Sequence, residues 1–377
     1  MIAVTAVLII AVAAGAAFMA YSLLELPVPS GPFAVGTVSF TLQRPIEPGE
    51  RSPGQFTVQL WYPALASGKR ALYGTGVGGR GAWLYHRLVR THSAAGAIPF
   101  VRRSPVIIYV PAWGGQRTEN TALAEDLASH GYAVAAIDDV TRDSPVLDRL
   151  AGSIDVRSDE AYSLTLELAR RRLAYETQRA SSVLDYLTHL DAGDPRNPFT
   201  GRFDLRRVGI LGYSFGGAVA LEACRYDHRF SAAMNLDGIL WGAGDGYRGG
   251  IPYFLVSDAN PLPTSADLAS DDPVVRYTAK LIFADDSGQR AALRHGGYEL
   301  TISDTVHASF SDVPLYAPLQ RFGAGWSNPP RITTALRQYT LAFFDSALDG
   351  KPSPLLTPGT RGRPAMTLTV GTTGLQP

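Results

Sequence analysis

Residues 208–218 read Val-Gly-Ile-Leu-Gly-Tyr-Ser-Phe-Gly-Gly-Ala, an apolar run that leads directly into a Gly-x-Ser-x-Gly motif. The apolar run predicts a buried strand, and the small residues after the motif open a predicted helix. A turn this sharp leaves no room for a Cβ two residues either side of Ser214, which accounts for Gly212 and Gly216. The pattern therefore predicts a nucleophilic serine at a helix N-terminus, against the alternative of a tight turn with a spectator serine.

Apolar runs alternate with helical patterns before and after this motif. Val106–Val110 and Ala133–Ile137 predict buried strands, with a helix over 118–130 between them. Further helices are predicted over 159–190 and 332–348 from apolar residues at three- and four-residue spacing. The alternation is typical of an α/β fold with a mostly parallel twisted sheet and helices on both faces.

Two further segments bear on the architecture. Ala34–Leu42 and Phe56–Tyr62 are rich in β-branched and aromatic residues and predict an antiparallel N-terminal hairpin. Within the long predicted helix, the run Arg170–Arg172 indicates a solvated helix face, the alternative being a phosphate-binding patch.

The N-terminus carries an uncharged apolar run, Ile2–Leu24. As a helix this run spans about 34 Å, enough to cross a bilayer. It lacks the basic start of a secretory signal peptide and is longer than the usual apolar core of one. We therefore expect a single N-terminal helix that anchors the protein in a membrane. The alternatives are a cleaved signal sequence, which predicts a secreted protein, and a buried soluble helix.

The composition excludes several classes of function. Lysine and arginine total 34, as do aspartate and glutamate, so the formal net charge is zero and no nucleic-acid partner is expected. The single cysteine, Cys224, excludes an intrachain disulfide and a cysteine-rich zinc site. No histidine and carboxylate cluster has metal-ligand spacing, so we expect no metal and no other cofactor. The sequence leaves the oligomeric state open.

A serine nucleophile needs a histidine base further along the chain in this strand-turn-helix context. Three histidines follow Ser214. His228 sits on a charged helix end, and His295 lies in a polar turn. His307 follows a predicted strand on a loop, which is where a base belongs. We therefore predict His307 as the base, with His295 as the alternative.

Two aspartates between the serine and that histidine are candidates for the acid that orients it. Asp237 ends the apolar run 232–236, and Asp258 ends the next one, 253–257. Both positions lie at the carboxyl ends of predicted strands, so spacing does not choose between them.

Several stretches of the chain carry a family resemblance: Leu60–Pro63, Asp126–Ala136, Gly212–Gly217, Asn235–Gly238 and Val306–Asp312. Together they resemble the platelet-activating factor acetylhydrolase family and the dienelactone hydrolase-like serine esterases of the α/β-hydrolase superfamily. In the acetylhydrolase family the acid is the aspartate of the Leu-Asp step. The resemblance therefore favours Asp237, with Asp258 as the alternative acid.

The geometry of the motif makes the Phe215 backbone N–H one donor to an oxyanion hole. The resemblance implies a second donor, the backbone N–H of Trp113. The family usually shows Ser-His-Gly before this position, whereas this chain has Val110-Pro111-Ala112. A backbone donor survives a change of side chains, but a proline is expected to affect its direction.

The resemblance implies a serine ester hydrolase that forms an acyl-enzyme. Its expected substrates are small-molecule or lipid esters with short or lipophilic acyl groups, including phospholipids like 1-alkyl-2-acetylglycerophosphocholine. The alternatives are a peptidase or amidase on the same fold and a non-catalytic, membrane-tethered binding module.

The expected domain organisation has three parts. Residues 1–27 are a transmembrane anchor or signal sequence, 28–350 are an α/β-hydrolase catalytic domain, and 351–377 are a flexible C-terminal tail rich in proline, glycine and threonine. The connection 68–103 and the stretch 261–297 are expected to shape the substrate pocket.

Overall fold

The strands of the computed structural model form one large sheet. The structure describes residues 24–43, 46, 54–74, 87–139, 154–243, 249–294, 296–316, 329–357 and 366–371. In these residues the strands are β1 (Ala34–Gln43), β2 (Gln55–Ala64), β3 (Arg70–Leu72), β4 (Arg90–Ala95), β5 (Ser104–Val110), β6 (Ala133–Ile137), β7 (Phe203–Tyr213), β8 (Phe230–Leu236), β9 (Tyr253–Asp258), β10 (Tyr298–Ile302) and β11 (Met366–Val370).

The spatial order of the sheet is β11-β10-β9-β8-β7-β5-β6-β2-β1-β4-β3. Every neighbouring pair from β10 to β6 in this order is parallel. The predicted N-terminal hairpin is β1 paired antiparallel with β2, from Ala34 opposite Ala64 to Gln43 opposite Gln55. The prediction of a mostly parallel α/β fold is confirmed.

The central strands are buried on both faces because their side chains alternate between two apolar clusters. In β5, Val106, Ile108 and Val110 belong to one cluster. Ile107 and Tyr109 belong to the other, on the opposite face. A sheet that is apolar on both sides must be covered twice, and helices supply that cover.

Among the described residues the helices are α1 (Thr121–Ser129), α2 (Asp159–Asp191), α3 (Phe215–Tyr226), α4 (Ser265–Leu268), α5 (Pro273–Leu293), α6 (Val313–Tyr316) and α7 (Pro329–Asp349), with 3-10 turns at His307–Phe310 and Pro354–Leu356. Residues of α2 and α3 pack in the cluster on one face of the sheet. Residues of α1 and α7 pack in the cluster on the other. Helices therefore cover both faces, as the sequence predicts.

The long helix α2 begins where its sequence predicts. Ser158 caps the helix by accepting a hydrogen bond from the Ala161 N–H, and acidic residues occupy its first turn. Arg170 and Arg171 are exposed, as a solvated face requires. Arg172, in contrast, is 1% exposed, so the prediction of a solvated face is wrong for this residue. Its position in the helical repeat turns it toward the sheet.

The segment before β1 packs closely on the domain. Leu26 is buried, and its N–H donates to the Arg90 carbonyl. The side chains of Glu25 and Arg90 form an ion pair at 2.6 Å. Farther along, the Ser30 N–H donates to Asp126 at 2.7 Å. Of the predicted anchor or signal sequence over 1–27, only residues 24–27 lie within the described residues. The part of the chain that the structure does describe holds no helix long and apolar enough to cross a membrane.

Part of the predicted flexible tail is ordered. Strand β11 lies in it and pairs antiparallel with β10, from Tyr298 opposite Val370 to Ile302 opposite Met366. For these residues the prediction of a flexible tail is wrong. The sequence Met-Thr-Leu-Thr-Val alternates apolar and β-branched residues, which suits an edge strand with one face on the core.

This strand gives a test of the tail. Met366 is 8% exposed, whereas its neighbour Thr367 is exposed on the other face of the strand. We expect Met366→Ser to lower the free energy of unfolding by about 2 kcal/mol, because it removes buried apolar surface. The matched control Thr367→Ser changes it by less than about 0.5 kcal/mol. Urea titrations followed by circular dichroism measure both values, and equal losses would contradict an ordered strand.

Candidate active site

The serine motif forms a strained turn between β7 and α3. Ser214 has φ 55° and ψ −122°, a conformation rare for a residue with a side chain. A Cβ on Gly212 would lie 1.8 Å from the Gly216 carbonyl oxygen, and one on Gly216 would lie 2.1 Å from the Val110 carbonyl oxygen. Both positions therefore require glycine, which is the reason that the sequence suggests.

His307 links the serine to an acid. Its Nε2 lies 2.9 Å from the Ser214 Oγ, and its Nδ1 lies 2.6 Å from the Asp237 Oδ2. The His307 side chain is 51% exposed, whereas that of Asp237 is 11% exposed. The structure thus brings together the serine, histidine and first aspartate that the sequence nominates. His228 lies exposed just before β8, at the opposite end of the strands, and His295 lies outside the described residues.

Tyr213, the residue just before the serine, contacts both the ring and the main chain of His307. The two rings stack with centroids 5.1 Å apart and an interplanar angle of 24°. The Tyr213 hydroxyl also donates to the His307 carbonyl at 3.1 Å. Sequence reasoning missed this role, because a variable position inside a motif carries no mark of what its side chain contacts.

Asp312 fastens the segment that follows His307. Its carboxylate accepts hydrogen bonds from the Ala122 N–H at 3.2 Å and from the Tyr73 hydroxyl at 3.3 Å. Its own N–H donates to the Glu119 carbonyl at 2.7 Å. Burial raises the pKa of Asp312 well above its ordinary value, although the bond from Ala122 opposes the shift. The sequence includes Asp312 in a family-like stretch but does not indicate this role.

Asp237 lies on a turn that its neighbours hold in place. The residue has φ 55°, again a strained value. Its N–H donates to the Val256 carbonyl at 2.7 Å. The Asn235 side chain closes the turn, since it accepts from the Gly238 N–H and donates to the Gly238 carbonyl, both at 2.8 Å.

The alternative acid, Asp258, contacts Asp237 rather than His307. Its backbone N–H donates to the Asp237 Oδ1 at 3.1 Å, and its carboxylate accepts from the Asn260 side chain at 2.6 Å. Burial raises the pKa of Asp258, and the negative charge of Asp237 adds to the shift. Asp258 therefore supports the Asp237 carboxylate through its main chain.

Helix α5, which lies in the stretch 261–297, contacts the turn that follows the acid. The Gln289 side chain donates to the Gly238 carbonyl at 2.9 Å and accepts from the Tyr253 hydroxyl at 2.7 Å. Asp285 accepts from the Leu240 N–H at 2.7 Å. These bonds connect the helix to the position of Asp237.

The predicted oxyanion residues lie side by side. Trp113 follows β5 and Phe215 opens α3, and their rings meet edge to face with centroids 5.0 Å apart. The Trp241 ring lies 6.1 Å from that of Trp113. A Cβ on Gly216 would lie 2.8 Å from the Pro111 carbonyl, so the loop after β5 keeps its main chain against the serine turn despite the proline.

Two other observations concern metal binding and cavities in the described residues. Among the residues described, no group of three or more histidine, cysteine or acidic side chains could hold a metal ion. A cavity of about 370 Å³ lies at the opposite ends of the strands, lined in part by Pro252, Tyr298 and Phe343. Its position separates it from Ser214.

Comparison with known proteins identifies the family of this chain. The model of the family described as platelet-activating factor acetylhydrolase, isoform II, matches residues 93–349. The chain belongs to this family. The predicted family resemblance is thus confirmed, and the match spans every residue of the Ser214, His307 and Asp237 cluster.

Curated members of the family share less than a third of their residues with this chain over the matched stretches. The chain is 27% identical to the platelet-activating factor acetylhydrolase of Bos taurus over 235 residues, which are 55% of this chain and 48% of that protein. The corresponding protein of Cavia porcellus is 29% identical over 174 residues, 41% of this chain and 40% of that protein. The matches thus span about half the length of these relatives or less.

A solved structure resembles the chain over most of its length. The ferulic acid esterase from Streptomyces cinnamoneus superposes with a TM-score of 0.68 at 28% sequence identity. The superposition covers 91% of this chain and 98% of that one. It confirms the α/β-hydrolase fold class.

Asp285 gives a pH-dependent test of the contact between α5 and the acid turn. Burial raises the pKa of Asp285 from 3.8 to about 6, although the Leu240 N–H opposes the shift. Because the folded-state pKa is raised, the stability that protonation provides is present below about pH 4 and is lost as the pH rises through about 6. We expect the free energy of unfolding of Asp285→Asn to exceed that of the wild type by about 3 kcal/mol at pH 8 and to equal it at pH 4.

The adjacent Asp286, which pairs with Arg290 at 2.7 Å, supplies a matched control. Asp286→Asn is expected to give no stabilisation that grows with pH. Urea titrations at pH 4, 6 and 8 measure these differences. A constant difference between Asp285→Asn and the wild type across this range would refute a raised pKa for the half-buried Asp285.

Proposed function

We propose that this protein is a serine ester hydrolase that works through an acyl-enzyme. The observation that carries the proposal is the continuous hydrogen-bonded chain of Ser214, His307 and Asp237, with 2.9 Å and 2.6 Å between successive polar atoms. Such a chain is what an unactivated hydroxyl needs to become a nucleophile. Membership of an acetylhydrolase family supports the same chemistry.

The reaction follows from these positions. The Ser214 Oγ attacks the ester carbonyl carbon as His307 Nε2 takes its proton, and Asp237 stabilises the imidazolium through Nδ1. The backbone N–H groups of Phe215 and Trp113 donate to the oxyanion that forms. His307 then gives its proton to the departing alkoxide, which leaves as an alcohol. Water enters by the exposed side of His307, loses a proton to it and attacks the acyl carbon. His307 then returns that proton to the Ser214 Oγ as the bond from Oγ to the acyl carbon breaks, which releases the carboxylic acid and restores the free serine.

The substrates that we propose are short-chain or lipophilic carboxylic esters. An acetylated glycerophosphocholine is the leading example, because curated relatives carry the name platelet-activating factor acetylhydrolase. A second candidate is an ester with an aromatic acyl group. The ring cluster of Trp113, Phe215 and Trp241 favours it, and the similar solved structure is a ferulic acid esterase.

Two other functions compete with ester hydrolysis. A peptidase or amidase would use the same three residues, so only matched substrates separate it. A non-catalytic binding module would not need Ser214, His307 and Asp237 to be hydrogen-bonded to one another. In this chain the three side chains lie within hydrogen-bonding distance. The membrane anchor over Ile2–Leu24 rests on the sequence alone and stays a prediction, with a secreted protein as its alternative.

Removal of the nucleophile tests the proposal. We expect Ser214→Ala to lower kcat for p-nitrophenyl acetate by at least about 1,000-fold and to abolish labelling by a fluorophosphonate, since both depend on the hydroxyl. Ser182→Ala, on the surface of α2, is the control and should retain both properties. A folded wild type that neither hydrolyses esters nor takes the label would favour the binding module.

The same assay ranks the substrates. p-Nitrophenyl esters from acetyl to palmitoyl, methyl ferulate and p-nitroacetanilide are compared by kcat/KM. Preference for acetyl supports the acetylhydrolase-like substrate, and preference for ferulate supports the aromatic one. Faster cleavage of the anilide than of p-nitrophenyl acetate would indicate an amidase.

The two aspartates are distinguished by matched substitutions. We expect Asp237→Asn to lower kcat by about 10,000-fold, because the amide favours the wrong imidazole tautomer. Asp258→Asn should lower it by less than about tenfold, since its contribution to Asp237 is a backbone N–H that the variant retains. The reverse order would make Asp258 the acid.

A further inference from the structure

Arg172 has an unusual environment for an arginine in the middle of a long helix. It is 1% exposed and forms an ion pair with Asp139, which is 2% exposed. Its guanidinium carbon lies 4.1 Å from the centroid of the Trp113 ring and 5.8 Å from that of Phe215. The arginine therefore lies against the two residues to which we assign the oxyanion donors.

Hydrogen bonding alone does not account for the burial of this side chain. Within the described residues, Nε and Nη1 of Arg172 have no hydrogen-bond partner. A buried cation with unmet donors is unfavourable, and a buried ion pair seldom adds net stability. The face of Trp113 offers a compensating cation–π contact. Arg172 thus lies directly against the loop after β5, although its burial is unfavourable in free energy.

Asp139 also connects the ion pair to the same loop, through a backbone hydrogen bond. Its backbone N–H donates to the Gly115 carbonyl at 3.2 Å. Gly115 in turn donates to the Ala112 carbonyl at 2.8 Å, which closes the turn around Trp113. The pair of Arg172 and Asp139 therefore contacts this turn through a ring and through the main chain.

We propose that Arg172 is a positioning residue for the oxyanion hole. It holds the Trp113 ring, and through it the direction of the Trp113 N–H, toward the place where negative charge develops. Its positive charge, kept out of water, also favours an anion at that place. This inference rests on the proposed function and deepens it, because it assigns a residue that acts on the transition state through Trp113.

Arg179 is a matched control on the same helix. It is 0% exposed, its guanidinium carbon lies 4.5 Å from the centroid of the Phe56 ring, and it pairs with Glu176 at 2.7 Å. Phe56 lies at the start of β2, outside the candidate site. Arg179 thus shares the burial, the aromatic contact and the ion pair. It also donates to the Asp138 carbonyl at 2.9 Å, but it does not contact Trp113.

The test compares Arg172→Lys with Arg179→Lys in the full chain. Lysine keeps the charge but loses the planar group that stacks on the ring. The measurements are kcat and KM for p-nitrophenyl acetate, the melting temperature, and the affinity for an alkyl boronic acid, which forms an anionic tetrahedral adduct on the serine.

We expect Arg172→Lys to lower kcat about tenfold with KM within about twofold, and to weaken boronic acid binding in parallel, because the loss falls on the transition state. Arg179→Lys should lower the melting temperature comparably and leave kcat and boronic acid affinity within about twofold of wild type. If both variants lose kcat in proportion to stability, Arg172 is only structural and the proposal is overturned. A folded Arg172→Lys with wild-type kcat overturns it as well.

A double-mutant cycle covers the case in which Arg172→Lys does not fold. It uses Asp139→Asn, Trp113→Leu and their combination. If the ion pair acts through the Trp113 ring, the combined variant loses no more kcat than the worse single variant. Fully additive losses contradict the proposal.

Failure of the proposed function is recognised separately, because wild-type protein would then show neither Ser214-dependent hydrolysis nor fluorophosphonate labelling.

Discussion

The contact between the serine turn and the end of the neighbouring strand β5 constrains the rest of the site. Gly212, Gly216 and the Val110 carbonyl meet at distances that exclude any side chain. This contact forces Ser214 into a strained conformation above the carboxyl edge of the sheet. It also brings the loop after β5 to the start of α3, so that one close approach of main chain positions both Ser214 and the two proposed oxyanion donors.

The residues of the candidate site are held by polar groups away from the atoms proposed to react. Asn235 and Gln289 close the turn that carries Asp237, and Asp312 fixes the segment that carries His307. Arg172 has the same relation to the loop of Trp113. Each of these three segments is thus held by buried polar side chains. Such side chains are stable only when their partners are fixed, so the site depends on the packing of the whole domain.

Much of this arrangement was predictable, because its signals are local. Continuous apolar runs predicted the central strands, and the motif around Ser214 predicted the turn. Position after a strand selected His307. Spacing did not separate Asp237 from Asp258, because both end adjacent parallel strands, and a resemblance was needed to choose. The flexible tail was predicted from composition, which overlooked the alternating pattern of Met366–Val370.

By itself the sequence determined the fold class, the serine turn and the short set of residues from which a triad could form, since these depend on hydrophobic periodicity and on steric limits within a few residues. Only the tertiary structure decided which aspartate contacts His307 and that Arg172 is buried while Arg170 and Arg171 are exposed. These outcomes depend on which groups from distant parts of the chain share the same few ångströms. That proximity is set by the packing of whole elements, not by the residues next to them in the chain.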